Sequence, residues 1–208
     1  MDTKRRIIES ALAEFGYEGF QGASIAKIAK QSGIAKSSVY SHFSSKEELY
    51  VAVLDGIVSF CRNLMERYED DTQEFHARER LHHALINIYH TASRQRPMIL
   101  FWHKCLMSPP EVIEHKVREK TEIINHLFRS YYQSIIESGI EKKEINSPFT
   151  SNQLASMFQG LVQSMLLGQV MDKETPADEM LNHLFTYYWN GIHPSFVAWT
   201  STNLVKEL

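Results

Sequence analysis

The stretch that most constrains this chain is Ser24 to Glu48, SIAKIAKQSGIAKSSVYSHFSSKEE. Ile25, Ile28 and Ala29 fall at the i, i+3, i+4 spacing of one helical face. Gly33 tolerates the positive φ that lets a helix end and the chain turn. Beyond Ile34, Val39 and Phe43 give a second short helix one apolar side, while Lys36, Ser37, Ser38, Tyr40, Ser41 and His42 crowd its other side with hydrogen-bonding groups. A helix that short is unstable alone, so packing behind it must hold the polar face outward. Two short helices around a tight turn make a helix-turn-helix, whose second helix enters a DNA major groove.

Charge agrees with this reading only when it is resolved along the chain. The net charge of the 208 residues is −3, yet residues 1–46 hold seven Lys/Arg against four acids. A basic N-terminal module on an acidic body is the footprint of a DNA reader with a second task.

The roles of the polar residues divide by chemistry. Lys36, Ser37 and Ser38 open the second helix, the end that reaches base edges, where a lysine donates to guanine and serines serve donors or acceptors. Ser41 lies on the same polar face, and Tyr40 and His42 suit phosphate oxygens. Ser24 is the predicted N-cap of the first short helix, with a phosphate near its free N–H groups. Lys27 stands where a capping box would place an acid. A box from Ser44 to Glu47 is expected to open the next helix and aim Lys46. Before the motif, a helix from about Asp2 to Tyr17 carries Ile7, Ile8, Ala11, Leu12 and Phe15 inward. It is expected to be broken by Gly16 and Gly19, with Lys4, Arg5 and Arg6 near the DNA backbone.

From Ile7 to Leu49 the chain reads I-x-x-x-A-x-x-x-F-x-x-x-G-F, A-S-I-x-x-I-A and S-G-I-A-K-S-S-V-Y-S-H-F-S-S-K-E-E-L. These residues resemble the DNA-binding domain of the tetracycline-repressor (TetR) family of bacterial regulators. The resemblance implies that Tyr40, His42 and Lys46 bind backbone phosphates. Serines at 37 and 38, where relatives often carry glycine or proline nearby, mean that the bases read do not transfer. The expected fold is all-α, with an N-terminal three-helix helix-turn-helix domain (1–48) and a larger helical ligand-binding and dimerisation domain (70–208). A helix over about 45–69 links them, with Tyr50, Val53, Leu54, Ile57, Cys61, Leu64, Met65 and Tyr68 on one stripe and Glu69-Asp70-Asp71 as its acidic end.

In the body, helical patterns run from about 73 to 94, from Pro97 to Met107, and from Glu111 to about Ser138, the last ended by Gly139. Thr150 or Ser151 caps the next helix. The helices over 152–171 and 177–192 are apolar on more than one face. Ala155, Gly160 and Gly168 on the first, and Phe185, Tyr188 and Trp189 on the second, suggest pairing with their copies in a homodimer. Phe101, Trp102 and His103 are expected to line a cavity with Phe128, Tyr132, Phe158, Gln159 and Gln163, a lining suited to a small apolar or aromatic effector.

Other function classes find little support. The ten histidines are scattered without ligand spacing, and no nucleophile or phosphate-loop motif occurs, so neither a metal site, a cofactor nor an enzyme is expected. Cys61 and Cys105 read as buried, reduced thiols of a cytoplasmic protein. The opening MDTKRR has no following apolar run, and no stretch is long enough to span a membrane. The function expected is a homodimeric repressor released from a palindromic double-stranded DNA operator by a small effector. A protein partner or a metal ion is the alternative input.

Overall fold

The computed structural model describes residues 2–72, 74–171 and 178–192. Among these residues all regular structure is helical: α1 (Thr3–Gly22), α2 (Ile25–Gln31), α3 (Lys36–His42), α4 (Lys46–Thr72), α5 (Ala77–Arg94), α6 (Arg96–Met107), α7 (Glu114–Glu141), α8 (Ser151–Met171) and α9 (Asp178–Ile192). A 3-10 turn, Glu111–Ile113, leads into α7. The segment 193–208 lies outside the described residues.

The chain divides into two compact units. One holds the residues up to Leu64 together with Arg94–Asn125, and the other holds Met65–Ser93 with the residues from His126 onward. This differs from a division at residues 48 and 70, because α6 packs on α1 instead of joining the body. α4 and α7 contribute to both units.

The core of the first unit is aromatic. Tyr50 of α4 meets Phe15 and Phe20 of the N-terminal helix at ring-centroid distances of 4.9 and 5.5 Å, and Phe101 of α6 at 4.7 Å. The Tyr50 hydroxyl also lies 3.2 Å from Cys105 Sγ, beneath the same helix. Gly16 does not break α1. It stays helical, and a Cβ there would stand 2.5 Å from the Pro97 carbonyl oxygen, so its bareness lets α6 approach. The kink falls at Gly19 alone, with φ at 73°. Just before it, Lys104 Nζ donates to the Tyr17 carbonyl at 3.0 Å, satisfying one of the oxygens freed near the helix end.

Several element ends also differ from expectation, each for a local reason. α4 runs through Glu69-Asp70 to Thr72 because Tyr68 and Thr72 are buried, and the Thr72 hydroxyl donates to the Tyr68 carbonyl. Its opening box is Ser45 with Glu48: the Glu48 N–H donates to Ser45 Oγ at 3.1 Å, and the Glu48 carboxylate reaches back to Ser44 N and Oγ. Those two bonds hold the Glu48 carboxyl below its ordinary range.

In the second unit, Gly139 does not end α7. A Cβ there would lie 2.7 Å from Ala77 Cβ, so the glycine is a close-packing point, and the chain turns later, at Lys143 with φ at 62°. Thr150 caps α8, exchanging bonds with Gln153. Around these ends the core is built from Leu81, Leu85 and Ile88 of α5, Tyr132, Ile135 and Ile136 of α7, Phe158 and Val162 of α8, and Phe185 of α9. Phe185 and Trp189 therefore face inward, and Tyr188 donates to the Leu154 carbonyl at 3.1 Å. The aromatic patch expected at a dimer interface is internal to one protomer. Both cysteines are free, and burial pushes each thiol up to about 12.

Candidate nucleic-acid interface

The site is built on the corner between α2 and α3. Ile25, Ile28 and Ala29 anchor α2 inward, and Ser32 closes it by donating its hydroxyl to the Ile28 carbonyl at 2.8 Å. Gly33, with φ at 69°, turns the chain, and Ile34 N–H returns to the Ala29 carbonyl. α3 then spans seven residues, of which only Val39 is buried, with Phe43 buried at its C-cap.

Everything polar on α3 is left outward. Lys36, Ser37, Tyr40, Ser41 and His42 are exposed and Ser38 is half-buried. Tyr40 is 47% exposed, a large aromatic ring offered to solvent on a helix whose apolar side is already satisfied. Lys36 and Tyr40, and Ser37 and Ser41, are neighbours at four-residue spacing, and Ser41 Oγ donates to the Ser37 carbonyl. Neither α2 nor α3 contains an acidic residue. The face therefore presents cations and neutral hydroxyls, the set that meets phosphates and base edges.

Two predicted contacts lie off this helix. Ser24 holds the N-cap position of α2, but its side chain makes no capping bond. The buried Glu14 carboxylate accepts the Ser24 N–H at 3.0 Å and so supplies the negative charge that a helix N-terminus favours. Lys27 lies 3.7 and 3.5 Å from Glu14 and Glu18, which accounts for a cation at that position without a phosphate. Lys46, in the first turn of α4, lies over the Phe20 ring at 4.9 Å and donates to the Gln21 carbonyl at 3.4 Å. The three basic residues of α1 each have local partners: Lys4 over Phe43, Arg5 with Glu9, and Arg6 with Thr3.

The residues predicted to bind an effector are divided between the two units. Phe101 is fully buried in the aromatic core of the first, with Trp102 and His103 half-buried beside it in sequence. In the second, Tyr132 and Phe158 rings meet edge to face at 4.8 Å, Phe128 stands 6.2 Å from Tyr132, and Gln159 accepts from Arg129 Nε. Gln163 is exposed. A groove of about 560 Å³ in the first unit is lined by Phe20, Tyr50, Lys104 and the Pro109–Val112 loop, none of them in the predicted set. The signal for it was present in the Gly19 break and the Pro109-Pro110 pair. Among the described residues, no group of three or more His, Cys, Asp or Glu side chains is placed to hold a metal ion, and no helix is long and apolar enough to cross a membrane.

Residues 7–53 match the family model for bacterial regulatory proteins of the tetR family. The match spans the stretch that carries the α2–α3 corner and shows a tetR-type DNA-binding segment there. Over 186 residues it is 24% identical to the probable acrEF/envCD operon repressor of Escherichia coli K12, covering 85% of this chain and 83% of that one. It is 23% identical over 193 residues to the fatty acid metabolism regulator protein of Bacillus subtilis, covering 90% and 94%. A crystal structure of the transcriptional regulator FadR from Bacillus subtilis in complex with stearoyl-CoA shares the fold, with a TM-score of 0.74, 22% identity and coverage of 91% and 99%. The proteins that it resembles along most of its length are transcriptional regulators.

Proposed function

We propose that the protein is a homodimeric repressor that binds a palindromic operator through residues 1–48 and is released from it by a small effector bound to the helical body. The observation that carries the reading is α3: seven residues with one buried side chain, no acid, and a polar face made of Lys36, Ser37, Ser38, Tyr40, Ser41 and His42. Two copies of that helix fit half-sites about one helical turn, roughly 34 Å, apart. In this reading Lys36 and the serines read bases, while Tyr40, His42 and Lys46 hold phosphates. Ser24 adds its hydroxyl, since its N–H is already taken by Glu14.

Repression is favoured by the resemblance to a probable operon repressor, and an apolar effector by the resemblance to a FadR solved with stearoyl-CoA. Within the body, the aromatic residues Phe128, Tyr132 and Phe158 with Gln159 and Gln163 are the proposed effector contacts. The effector acts by preferring the conformation in which the two heads no longer match the operator.

Selection of bound sequences from a random DNA pool tests the core of this proposal. The expected result is an enriched palindrome, bound more weakly across all sequences by Tyr40→Phe and with relaxed preference at one base position in Lys36→Ala. An unenriched pool would overturn the DNA-reading role of α3.

A further inference from the structure

Ile7, Ala11, Glu14 and Phe15 fall on one buried stripe of α1. Three are apolar and one is a carboxylate, 5% exposed. A charge in that position costs stability unless it is paired and hydrogen-bonded, so the use made of the Glu14 charge calls for an account. Its Oε1 accepts the Ser24 N–H at 3.0 Å, a bond that a neutral amide would also make, and lies 3.7 Å from Lys27 Nζ. Glu18, one turn further along α1, brings a second carboxylate to 3.5 Å from the same ammonium.

Lys27 is thereby set apart from the other cations near the corner. Among the described residues, neither Lys30 of α2 nor Lys36 of α3 has a carboxylate within ion-pair distance, whereas Lys27, 57% exposed, has two. One ammonium between two carboxylates leaves the start of α2 with a surplus negative charge. Ser24, whose N–H touches Glu14, is the residue that the proposed DNA reading brings to a phosphate, so this surplus stands well inside the screening length of about 10 Å at 0.1 M salt. The two carboxylates differ in their hold. Glu18 is 48% exposed and free to swing away as a phosphate approaches, while Glu14 is buried and pinned by Ser24.

We infer that Glu14, seconded by Glu18, sets how strongly the protein grips DNA of any sequence, by holding Lys27 back from the phosphate backbone. The inference rests on the reading of the α2–α3 corner as the DNA interface. Phosphate contacts attract without regard to sequence, and base contacts discriminate. Withholding one lysine therefore lowers affinity for operator and for other DNA alike, and leaves discrimination to the base contacts proposed for Lys36, Ser37 and Ser38. It also eases release, because the tighter the DNA complex, the larger the factor by which an effector must prefer the DNA-free state.

The test uses the full-length protein with two duplexes, the operator recovered by selection and a scrambled sequence of the same composition, titrated from about 50 to about 200 mM salt. Glu14→Gln keeps the shape and an acceptor for the Ser24 N–H while removing the charge. It is expected to bind both duplexes about fivefold more tightly at the low-salt end, and to steepen the slope of log affinity against log salt by up to about 0.9. Lys27→Ala is expected to change affinity by less than about twofold in the parent and to cancel the gain in the Glu14→Gln background, which is the coupling that a double-mutant cycle measures. Glu18→Gln, at an exposed site that leaves the fold undisturbed, is expected to act in the same direction by a smaller factor. A merely structural Glu14 would weaken binding when replaced, and that result overturns the inference. So do an unchanged slope, a gain confined to the operator, a gain that survives Lys27→Ala, or a tenfold loss from Lys27→Ala in the parent. A parent that binds neither duplex refutes the DNA reading itself, whereas a parent that binds both and is matched by every variant refutes only the role of Glu14.

Discussion

Replacing Gly16 with alanine separates local helix preference from tertiary packing in a single substitution. In an isolated helix, Gly→Ala stabilises by roughly 0.5–1 kcal/mol. Here the new Cβ would stand 2.5 Å from the Pro97 carbonyl oxygen and 3.2 Å from its carbonyl carbon. Both atoms are backbone, at the start of α6, so no flexible side chain can swing away. Relief requires moving α1 and α6 apart, and overpacking of this kind costs about 1–3 kcal/mol. After the helix gain is subtracted, the expected net loss is about 0–2.5 kcal/mol, or a fall of up to roughly 10 °C in melting temperature for a chain of this size. Gly56→Ala is the matched control, since it also sits inside a helix but its Cβ would meet Ile8 Cγ2 at an ordinary 3.8 Å. That variant is expected to melt slightly above the parent. If Gly16→Ala also melts above it, the close α1–α6 approach is not the reason for the glycine and the argument fails.

Two further outcomes follow from the capping and ion-pair geometry. Ser45→Ala is expected to cost about 1 kcal/mol in chemical denaturation, because Ser45 and not Ser44 caps the Glu48 N–H of α4. His76 Nδ1 lies 2.8 Å from Glu144, whose hydrogen bond and charge raise the imidazole above its ordinary value of 6.5. A raised folded-state value means stability that is fully present below about pH 6.5 and lost as the pH climbs through the raised value. Denaturation midpoints measured across neutral pH should show this loss in the parent and not in His76→Gln, and an identical profile in both would refute the assignment.

The helix-turn-helix was legible in sequence because three local signals agree there: the apolar triplet of α2, a glycine that takes positive φ, and a short helix with one apolar side. The end of a local pattern was less legible. Glu69-Asp70-Asp71 reads as a stop, but burial of Tyr68 and Thr72 carries α4 past it. Gly16 and Gly139 read as breakers, and each proves to be a contact point whose partner lies far along the chain, at Pro97 and Ala77. A single sequence shows that a side chain is missing without showing what occupies the space. The same limit explains Ser24, whose N–H is claimed by Glu14 ten residues earlier, and the effector residues, which their aromatic and polar chemistry grouped together and tertiary packing divided between two units.

The proposed dimer face is where this distinction gives a decisive test. The aromatic residues first assigned to it are consumed internally, yet a different set remains outward at helical spacing. On α8 these are Met157, Gly160, Ser164, Leu167 and Met171, and on α9 they are Met180, His183 and Tyr187, the last 79% exposed. A Cβ placed on Gly160, Gly168 or Gly191 meets nothing within 4 Å. Inside one protomer such glycines only weaken their helices, by up to about 1 kcal/mol each against alanine, so their presence makes sense if a second helix comes close. Gly160→Trp exploits that difference, because a large ring there is free in a lone chain and intolerable against a closely packed copy. The expected result in analytical ultracentrifugation is a folded, helical monomer with operator binding lost, whereas parent and Gly160→Ala sediment as dimers. A Gly160→Trp variant that still sediments as a dimer would place the interface elsewhere.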